Sequence, residues 1–494
     1  MKKLEIPQEI KSVMQKLRDN NYATFIVGGC VRDLLMENPA MAGPTDWDIT
    51  TGAKPEEIKE IFPDSFYENK FLTVTVHTGS ENPALREVEI TTFRSEAKYT
   101  NKRHPDEVMF AKTLEEDLSR RDFTVNALAI DIHGKKNELI DLFKGEEDLK
   151  NKIIRTVGNP NDRFNEDALR MMRAVRFSVT LSEGWKIEPA TSSAIKENSQ
   201  NLEFISFERI RDELVKIIMS PRACEGIELL RTVGLLKYII PELEENFNVP
   251  QNKHHIYDCY EHAIFSLKYA AKENFSQRVR IVALLHDIAK PRVKRGEGEN
   301  ATFYNHEVVG ARMAEKILER LKFPKDEIEN IVKLVRHHLF YYDVDEVGDS
   351  SIRRLVRQVG PENMEELLQV RMCDRIGSGV PKAEPYKLRH LKYVVDRVSQ
   401  DPISAKMLKV SGKDIMEILE IQPGPKVGQI LDVLLEYVLE EPKNNNKEFL
   451  EGEIKKLGKL SENDLSSFSE KAETEREKVE IKRDEMTKKK YWVT

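Results

Sequence analysis

No apolar run in the chain approaches the roughly 20 residues needed to span a bilayer, which argues against a membrane protein. Cysteine is scarce. Cys30, Cys224, Cys259 and Cys373 lie far apart and form no CxxC pair, so a reducing compartment is the simplest home. The opening Met-Lys-Lys-Leu-Glu-Ile-Pro lacks the apolar core of a signal peptide, and the cytoplasm is the expected location. There is no internal repeat, and neither glycine nor proline follows Gly458. Positive charge is not in excess. The formal net charge of −7 argues mildly against a nucleic-acid partner, although local clusters outweigh the sum. What remains is a 494-residue chain, 40% hydrophobic and 33% charged, which reads as globular with about three domains.

Residues 5–20 read as an amphipathic helix. Tyr22–Val27, Asp46–Thr50, Leu72–His77, Val88–Phe93, Leu128–Ile132 and Leu139–Leu142 read as strands, being β-branched and alternating or continuously apolar. The polar stretch 94–112 reads as a loop. From about 160 helical periodicity takes over, broken at Gly184, Pro221, Gly234 and Pro241. Pro381–Asp401 is basic and largely helical, and 441–494 is charge-dense.

The densest chemical signal is Thr45-Asp46-Trp47-Asp48-Ile49, preceded by Val27-Gly28-Gly29-Cys30-Val31-Arg32-Asp33. On a strand over 45–49, Asp46 and Asp48 point to one face, where two carboxylates suit Mg²⁺ together with phosphate oxygens. Gly28 and Gly29 let backbone N–H groups approach a phosphate. Arg32, on a helix starting there, offers a planar fork to a triphosphate. The bland reading, solvated turn acids and a turn glycine, does not explain Arg32.

These segments resemble the first motif of the class II nucleotidyltransferases, which include bacterial tRNA CCA-adding enzymes and poly(A) polymerases. Four further segments resemble the other motifs in order: Glu116–Ala127 (EDLSRRDFTVNA), Gly145–Leu149 (GEEDL), Glu166–Phe177 (EDALRMMRAVRF) and Ser206–Ile210 (SFERI). The resemblance implies two-metal nucleotidyl transfer at Asp46 and Asp48 with Mg²⁺ as cofactor. It implies nucleotide binding by Gly28, Gly29, Arg32, Arg121, Asp122, Asp167, Arg170, Arg173 and Arg176. Asp122 is expected to accept a hydrogen bond from a ribose 2′-hydroxyl, and Asn126 to brace the first loop. Asp167 and Arg170, three apart on one helix face, imitate a base-pairing edge and select CTP and ATP without a template; an ordinary surface ion pair is the plain alternative. The expected partners are tRNA, CTP and ATP, and no membrane. The 94–112 segment favours full CCA addition over CC-only addition. Leu72 stands where the family usually has glycine. A poly(A) polymerase or A-only adding enzyme is the nearest rival, and a metal-dependent phosphohydrolase the second.

His262, His286-Asp287, His306, His337-His338 and Asp374 follow the order of an HD phosphohydrolase domain. Imidazole and carboxylate suit Mn, Ni, Fe or Mg, with His262, His286, Asp287 and Asp374 as the expected ligands. His337 and His338 cannot both point inward on a helix, and Lys290 is placed to hold a phosphate. The alternative is a helical domain with surface histidines.

The implied fold is α+β: a small mixed α/β head with an antiparallel sheet, then an elongated all-helical body that includes an HD domain. The expected divisions are 1–150 for the head, 151–250 for a helical nucleotide-selecting neck, 251–380 for the HD domain and 381–494 for an RNA-binding region and charged tail. The candidate basic tracks for RNA are Lys150–Arg155, Arg278/Arg280, Lys290–Arg295, Arg353/Arg354/Arg357 and Lys387–Lys392. Any single one is equally a solvated helix face.

Overall fold

A computed structural model describes residues 5–36, 43–68, 73–94, 110–133, 136–252, 256–343, 346–398 and 407–460. Leu72, most of the 94–112 loop and the tail beyond 460 lie outside the described residues. The chain forms two compact units, Met1–Pro241 and Glu242–Thr494. No helix among the described residues is long and apolar enough to cross a membrane.

The first unit is built on seven strands: β1 Thr24–Val27, β2 Trp47–Thr51, β3 Phe66–Glu68, β4 Thr73–His77, β5 Glu87–Thr92, β6 Leu128–His133 and β7 Lys136–Asp141. Their order in the sheet is β3-β4-β5-β2-β1-β6-β7. The sheet is not wholly antiparallel, as expected from sequence, because β2 and β5 run parallel. The chain between them passes through the helix Pro55–Ile61 and the β3–β4 hairpin before returning, which is the crossover that parallel pairing demands. Alternation in β5 sends Val88, Ile90 and Thr92 inward and leaves Glu87 and Glu89 out. With Ile26, Ile49, Val74, Leu128 and Ile130, Val88 and Ile90 form the core, closed by Ile10, Met14 and Leu17 of the helix Gln8–Asp19. The short strand β3 and a two-stranded pair, Ile153–Ile154 with Lys186–Ile187, escape a periodicity reading because two or three residues carry no period.

After the sheet the first unit is helical. The helix Leu169–Thr180 packs on Phe207–Ile218 and Ala223–Thr232, burying Met171, Met172, Ala174, Val175 and Phe177.

In the second unit the site residues sit on helices or directly after them: His262, His306 and Asp374 are helical, whereas His286, Asp287 and His338 follow the C-terminal ends of two helices. Cys259–Lys272 begins with a capping box formed by Asp258 and Glu261. Gln277–Leu285, His306–Arg320, Lys325–His337 and Met364–Gly377 surround it in sequence. A Cβ on Gly377 would lie 2.1 Å from Ser266 Oγ and 2.7 Å from the His262 carbonyl oxygen. Only glycine allows this approach, and it carries Asp374 to within 3.4 Å of His262. Asp349–Val359, Tyr386–Val398, Gly412–Leu419, Pro425–Glu440 and Lys447–Leu457 are its other long helices among the described residues.

Candidate active site and metal centre

Strand β1 ends at Val27, and Gly28 turns the chain with φ +82° and ψ −139° into the helix Gly29–Leu35. A side chain there is both strained and obstructed. Its Cβ would lie 2.9 Å from Arg121 Nη1 and 3.2 Å from Asp48 Oδ2. Gly28 therefore allows an acid and a guanidinium to meet at the backbone. The strand starts at Trp47 rather than at residue 45, so Asp46 sits exposed in the bend before it. Asp48 takes the face opposite the buried Trp47 and Ile49. Burial raises the Asp48 carboxyl, and the Asp46 charge pushes the same way against Arg121. Two mutually repelling carboxylates at the half-dry start of a strand suit a divalent cation. Glu89 stands beside Asp48 in the parallel register and is exposed. Sequence reasoning passed over it, although its outward place in Glu87-Val88-Glu89-Ile90 is readable.

A polar chain runs behind this corner. Arg32 Nη1 donates to Asn126 Oδ1 at 2.7 Å, and Asn126 Nδ2 donates to Asp122 Oδ1 at 3.1 Å. Arg173 donates through Nε and Nη2 to Asp122 Oδ2 at 2.8 and 2.6 Å, and the Phe123 N–H donates to Oδ1 at 2.8 Å. Asn126 thus braces the loop as expected. Asp122 differs from expectation: four donors occupy its oxygens, so no ready acceptor is left for a ribose hydroxyl. Arg121 is held by Asp117 Oδ2 at 3.3 Å and the Asn126 carbonyl at 3.4 Å. Its Nε is buried with no hydrogen-bond partner among the described residues. Three guanidiniums surround one ring: Arg32, Arg173 and Arg176 lie 5.3, 5.4 and 3.9 Å from the Phe177 centroid. Phe123 meets that ring edge-on.

Burial would raise the Asp122 carboxyl, but Arg173 and the Asn126 hydrogen bond override it and hold it down at about 2. A depressed carboxylate stabilises the fold above its unfolded value, near 4, and loses that contribution as pH falls through about 2. Between pH 4 and 2, Asp122→Asn should therefore remove about 2 kcal/mol of acid sensitivity, read from urea unfolding at each pH.

Asp167 and Arg170 do not share a helix face. One helix ends at Glu166, Asp167 is extended (φ −143°), and the next begins at Leu169. Asp167 Oδ1 accepts from the Leu169 N–H at 3.0 Å and Oδ2 accepts from Arg209 Nη2 at 2.7 Å. Arg170 donates to Glu166 Oε2 at 2.6 Å and to the Arg120 carbonyl at 3.0 Å. A short polar side chain that can cap the following helix breaks the expected single helix. Arg209 and Glu213, which holds Arg176 at 2.7 Å, are partners that the sequence did not reveal.

The second unit gathers its histidines. His286, His306 and His338 each place Nδ1 at 3.0, 2.7 and 2.7 Å from the carbonyl three residues back. With Nδ1–H donating, each Nε2 is left as a lone pair for a metal. His262 Nε2 lies 3.0 Å from Asp287 Oδ2 and His286 Nε2 lies 3.3 Å from it. His306 and His338 Nε2 lie 3.2 and 3.6 Å from the other oxygen, Oδ1. Two nests result, His262-His286-Asp287-Asp374 and Asp287-His306-His338, joined by one carboxylate. Burial lowers the His262 imidazole, but hydrogen bonds to Asp287 and Asp374 override it and carry it up to about 9. Burial dominates at His338 and pushes it down to about 4. Four imidazoles and two carboxylates in a dry pocket fit divalent metal ions. Sequence order flagged His306 and His338 without giving them a ligand role. Of the adjacent pair His337 and His338, it is His338 that belongs to a nest. Lys290 is not open to a phosphate, because its Nζ is 2.6 Å from both Asp287 Oδ2 and Gln251 Oε1.

Most of the basic tracks are consumed internally. Lys150 pairs with Glu146, Arg155 with Asp148, Arg278 with Glu327 and Arg292 with Glu245. Arg280 is buried, Arg353 donates to the Leu439 carbonyl at 2.7 Å, and Arg354 and Arg357 pair with Glu436. The Lys387–Lys392 stretch is the exception.

Residues 24–155 match the Poly A polymerase head domain. Residues 184–247 match the region described as "Probable RNA and SrmB-binding site of polymerase A", and residues 256–377 match the HD domain. A CCA-adding enzyme of Ligilactobacillus salivarius is 34% identical over 463 residues, 92% of this chain and 98% of that protein. One from Lactobacillus helveticus is 49% identical over 218 residues, 44% of this chain and 51% of that enzyme. Among solved structures, the Bacillus stearothermophilus CCA-adding enzyme in complex with CTP is 28% identical with a TM-score of 0.65, covering 91% of this chain and 96% of that one. The Thermotoga maritima enzyme complexed with tRNA, 20% identical with a TM-score of 0.51 over 92% of this chain and 96% of its own, shares the fold.

Proposed function

Because the chain belongs to the CCA-adding enzymes, we propose that it builds or repairs the 3′-terminal CCA of tRNA from CTP and ATP without a template. The observation that carries this reading is the meeting of Asp48, Arg121 and the Gly28 backbone at the start of the Arg32 helix. In the reaction the terminal 3′-oxygen bonds to the α-phosphorus, the bond to the β-phosphate bridge breaks, and pyrophosphate leaves. Magnesium held by Asp46 and Asp48 would supply Lewis-acid activation and charge neutralisation. Gly28 and Gly29 open the backbone to the triphosphate, and Arg121 offers its unpaired Nε–H. Arg32, Arg173 and Arg176 set a positive wall around Phe177. Asp122 positions Arg173 rather than touching the ribose. Asp167 reaches the base from the extended link between two helices and Arg170 from the first turn of the second, each oriented by its own partner.

Two-metal hydrolysis at the HD site is a second reading, carried by Asp287 facing one histidine pair with each oxygen. Mn, Ni, Fe or Mg fits the donors. The cytoplasm is the proposed place of action.

Radiolabelled CTP and ATP offered to tRNA truncated at successive 3′ positions test the first reading. Ordered C, C, A addition that then stops is expected; unlimited ATP runs would instead identify a poly(A) polymerase. Gly28→Ala should cost about 1–3 kcal/mol of stability through its backbone conformation. It should also slow CTP incorporation at least tenfold by displacing Arg121 and Asp48, which thermal melting and single-turnover kinetics read separately.

A further inference from the structure

Of the five basic tracks, the one that stays open has an unusual face. The helix Tyr386–Val398 buries Leu388, Leu391, Val394, Val395 and Val398. Its other side carries Tyr386, His390 and Tyr393 in one stripe, at i, i+4 and i+7. Tyr386 is 63% exposed and Tyr393 60%, which is high for large aromatic rings. Their centroids lie 5.9 and 6.2 Å from the His390 ring. His390 is fixed from the other side by Tyr342, whose ring stacks at 6.1 Å and 23° and whose Oη lies 2.5 Å from Nδ1. Arg389 and Lys392 flank the stripe, exposed and without an ion pair among the described residues, whereas Lys387 is matched by Asp343. Tyr342 lies only four residues along the chain from the metal-nest residue His338.

We propose that this face is a stacking platform for unpaired RNA nucleotides. The proposal rests on the reading that the substrate is RNA and names how its unpaired part is held. Proteins that bind single strands interleave ring faces for the bases with cations for the phosphates, and this helix presents both. Seven residues of helix span roughly 10 Å, enough for about three stacked bases. His390 is already immobilised, so the middle of the platform needs no ordering on binding. A duplex hides its base faces and offers phosphates, 2′-hydroxyls and groove edges instead. An acidic peptide would use the cations and leave the rings idle.

The test uses the full chain, fluorescence anisotropy, a labelled unstructured 12-nucleotide RNA and a 12-base-pair RNA duplex. Replacing Tyr386→Ala together with Tyr393→Ala should weaken single-strand binding about 100-fold, roughly tenfold for each base no longer stacked. Duplex affinity should change less than twofold, and Tyr386→Phe with Tyr393→Phe should restore the single-strand value. The proposal is overturned if the alanine pair binds the single strand within twofold of the parent, if the duplex loses as much, or if the phenylalanine pair fails to rescue. Equal displacement of RNA from parent and alanine pair by a poly-glutamate 12-mer would assign the face to an acidic peptide instead. CTP incorporation by the parent protein reports separately on the transferase reading and leaves the binding comparison intact.

Discussion

Asp48→Ala should cut CTP and ATP incorporation at least about 10³-fold, roughly 4 kcal/mol of lost transition-state stabilisation, while the melting temperature holds or rises. The direction of the second effect comes from the ground state. Asp48 sits half-buried on strand β2, its charged form is disfavoured by burial, and Asp46 repels it further. Removing one carboxylate relieves that repulsion, whereas Arg121 keeps its Asp117 partner. A functional corner that costs stability is expected where charge is assembled for a ligand rather than for the fold. The paired measurement is calorimetry with added magnesium: the parent should be stabilised by the ion and the variant much less. Unchanged incorporation by the variant would remove Asp48 from the catalytic machinery.

Asp287→Ala should act in the opposite way, as a severe loss of structure in the second unit with nucleotide addition per folded molecule preserved. Asp287 sits between four imidazoles and the Lys290 ammonium. Without it the buried Lys290 ammonium loses its directly paired carboxylate, a situation that typically costs about 3–5 kcal/mol. In a unit of this size that is a fall of about 10 °C in melting temperature. Bound divalent metal should drop from two ions to none, because both nests share this residue. His306→Ala, by contrast, should remove one ion and keep the other. Metal analysis of the purified variants separates the cases, and retention of both ions by Asp287→Ala would refute the shared-ligand reading.

The head was legible where chemistry and local backbone coincide. Gly28, Gly29, Arg32, Asp46 and Asp48 fall within 21 residues of sequence, so spacing alone places them near one turn. The histidine centre was legible as an order of residues. That Asp287 turns one oxygen to each pair, and that Gly377 lets Asp374 approach His262, are matters of chain packing, and no local pattern encodes them. Asp167 and Arg170 show the opposite failure. Their spacing reads as one helix face, but an aspartate able to cap Leu169 starts a new helix there. Charge was the least legible property. Arg278, Arg292, Arg354 and Arg357 looked like an RNA track, yet the carboxylates they donate to lie between 47 and 82 positions away in the numbering, where composition gives no hint. Likewise Asp122, expected at a ribose, is filled by Arg173 from 51 residues away.

Phe177 looks like ordinary interior filling, yet its π cloud lets like-signed neighbours crowd together. The negative face of the ring is an attractive surface for Arg32, Arg173 and Arg176, each such contact being worth about 0.5–2 kcal/mol. A leucine of comparable bulk would fill the same volume and leave their mutual repulsion unmoderated. What position 177 supplies is thus a quadrupole rather than a shape, so substitution tables that rank hydrophobic residues by size misjudge this position.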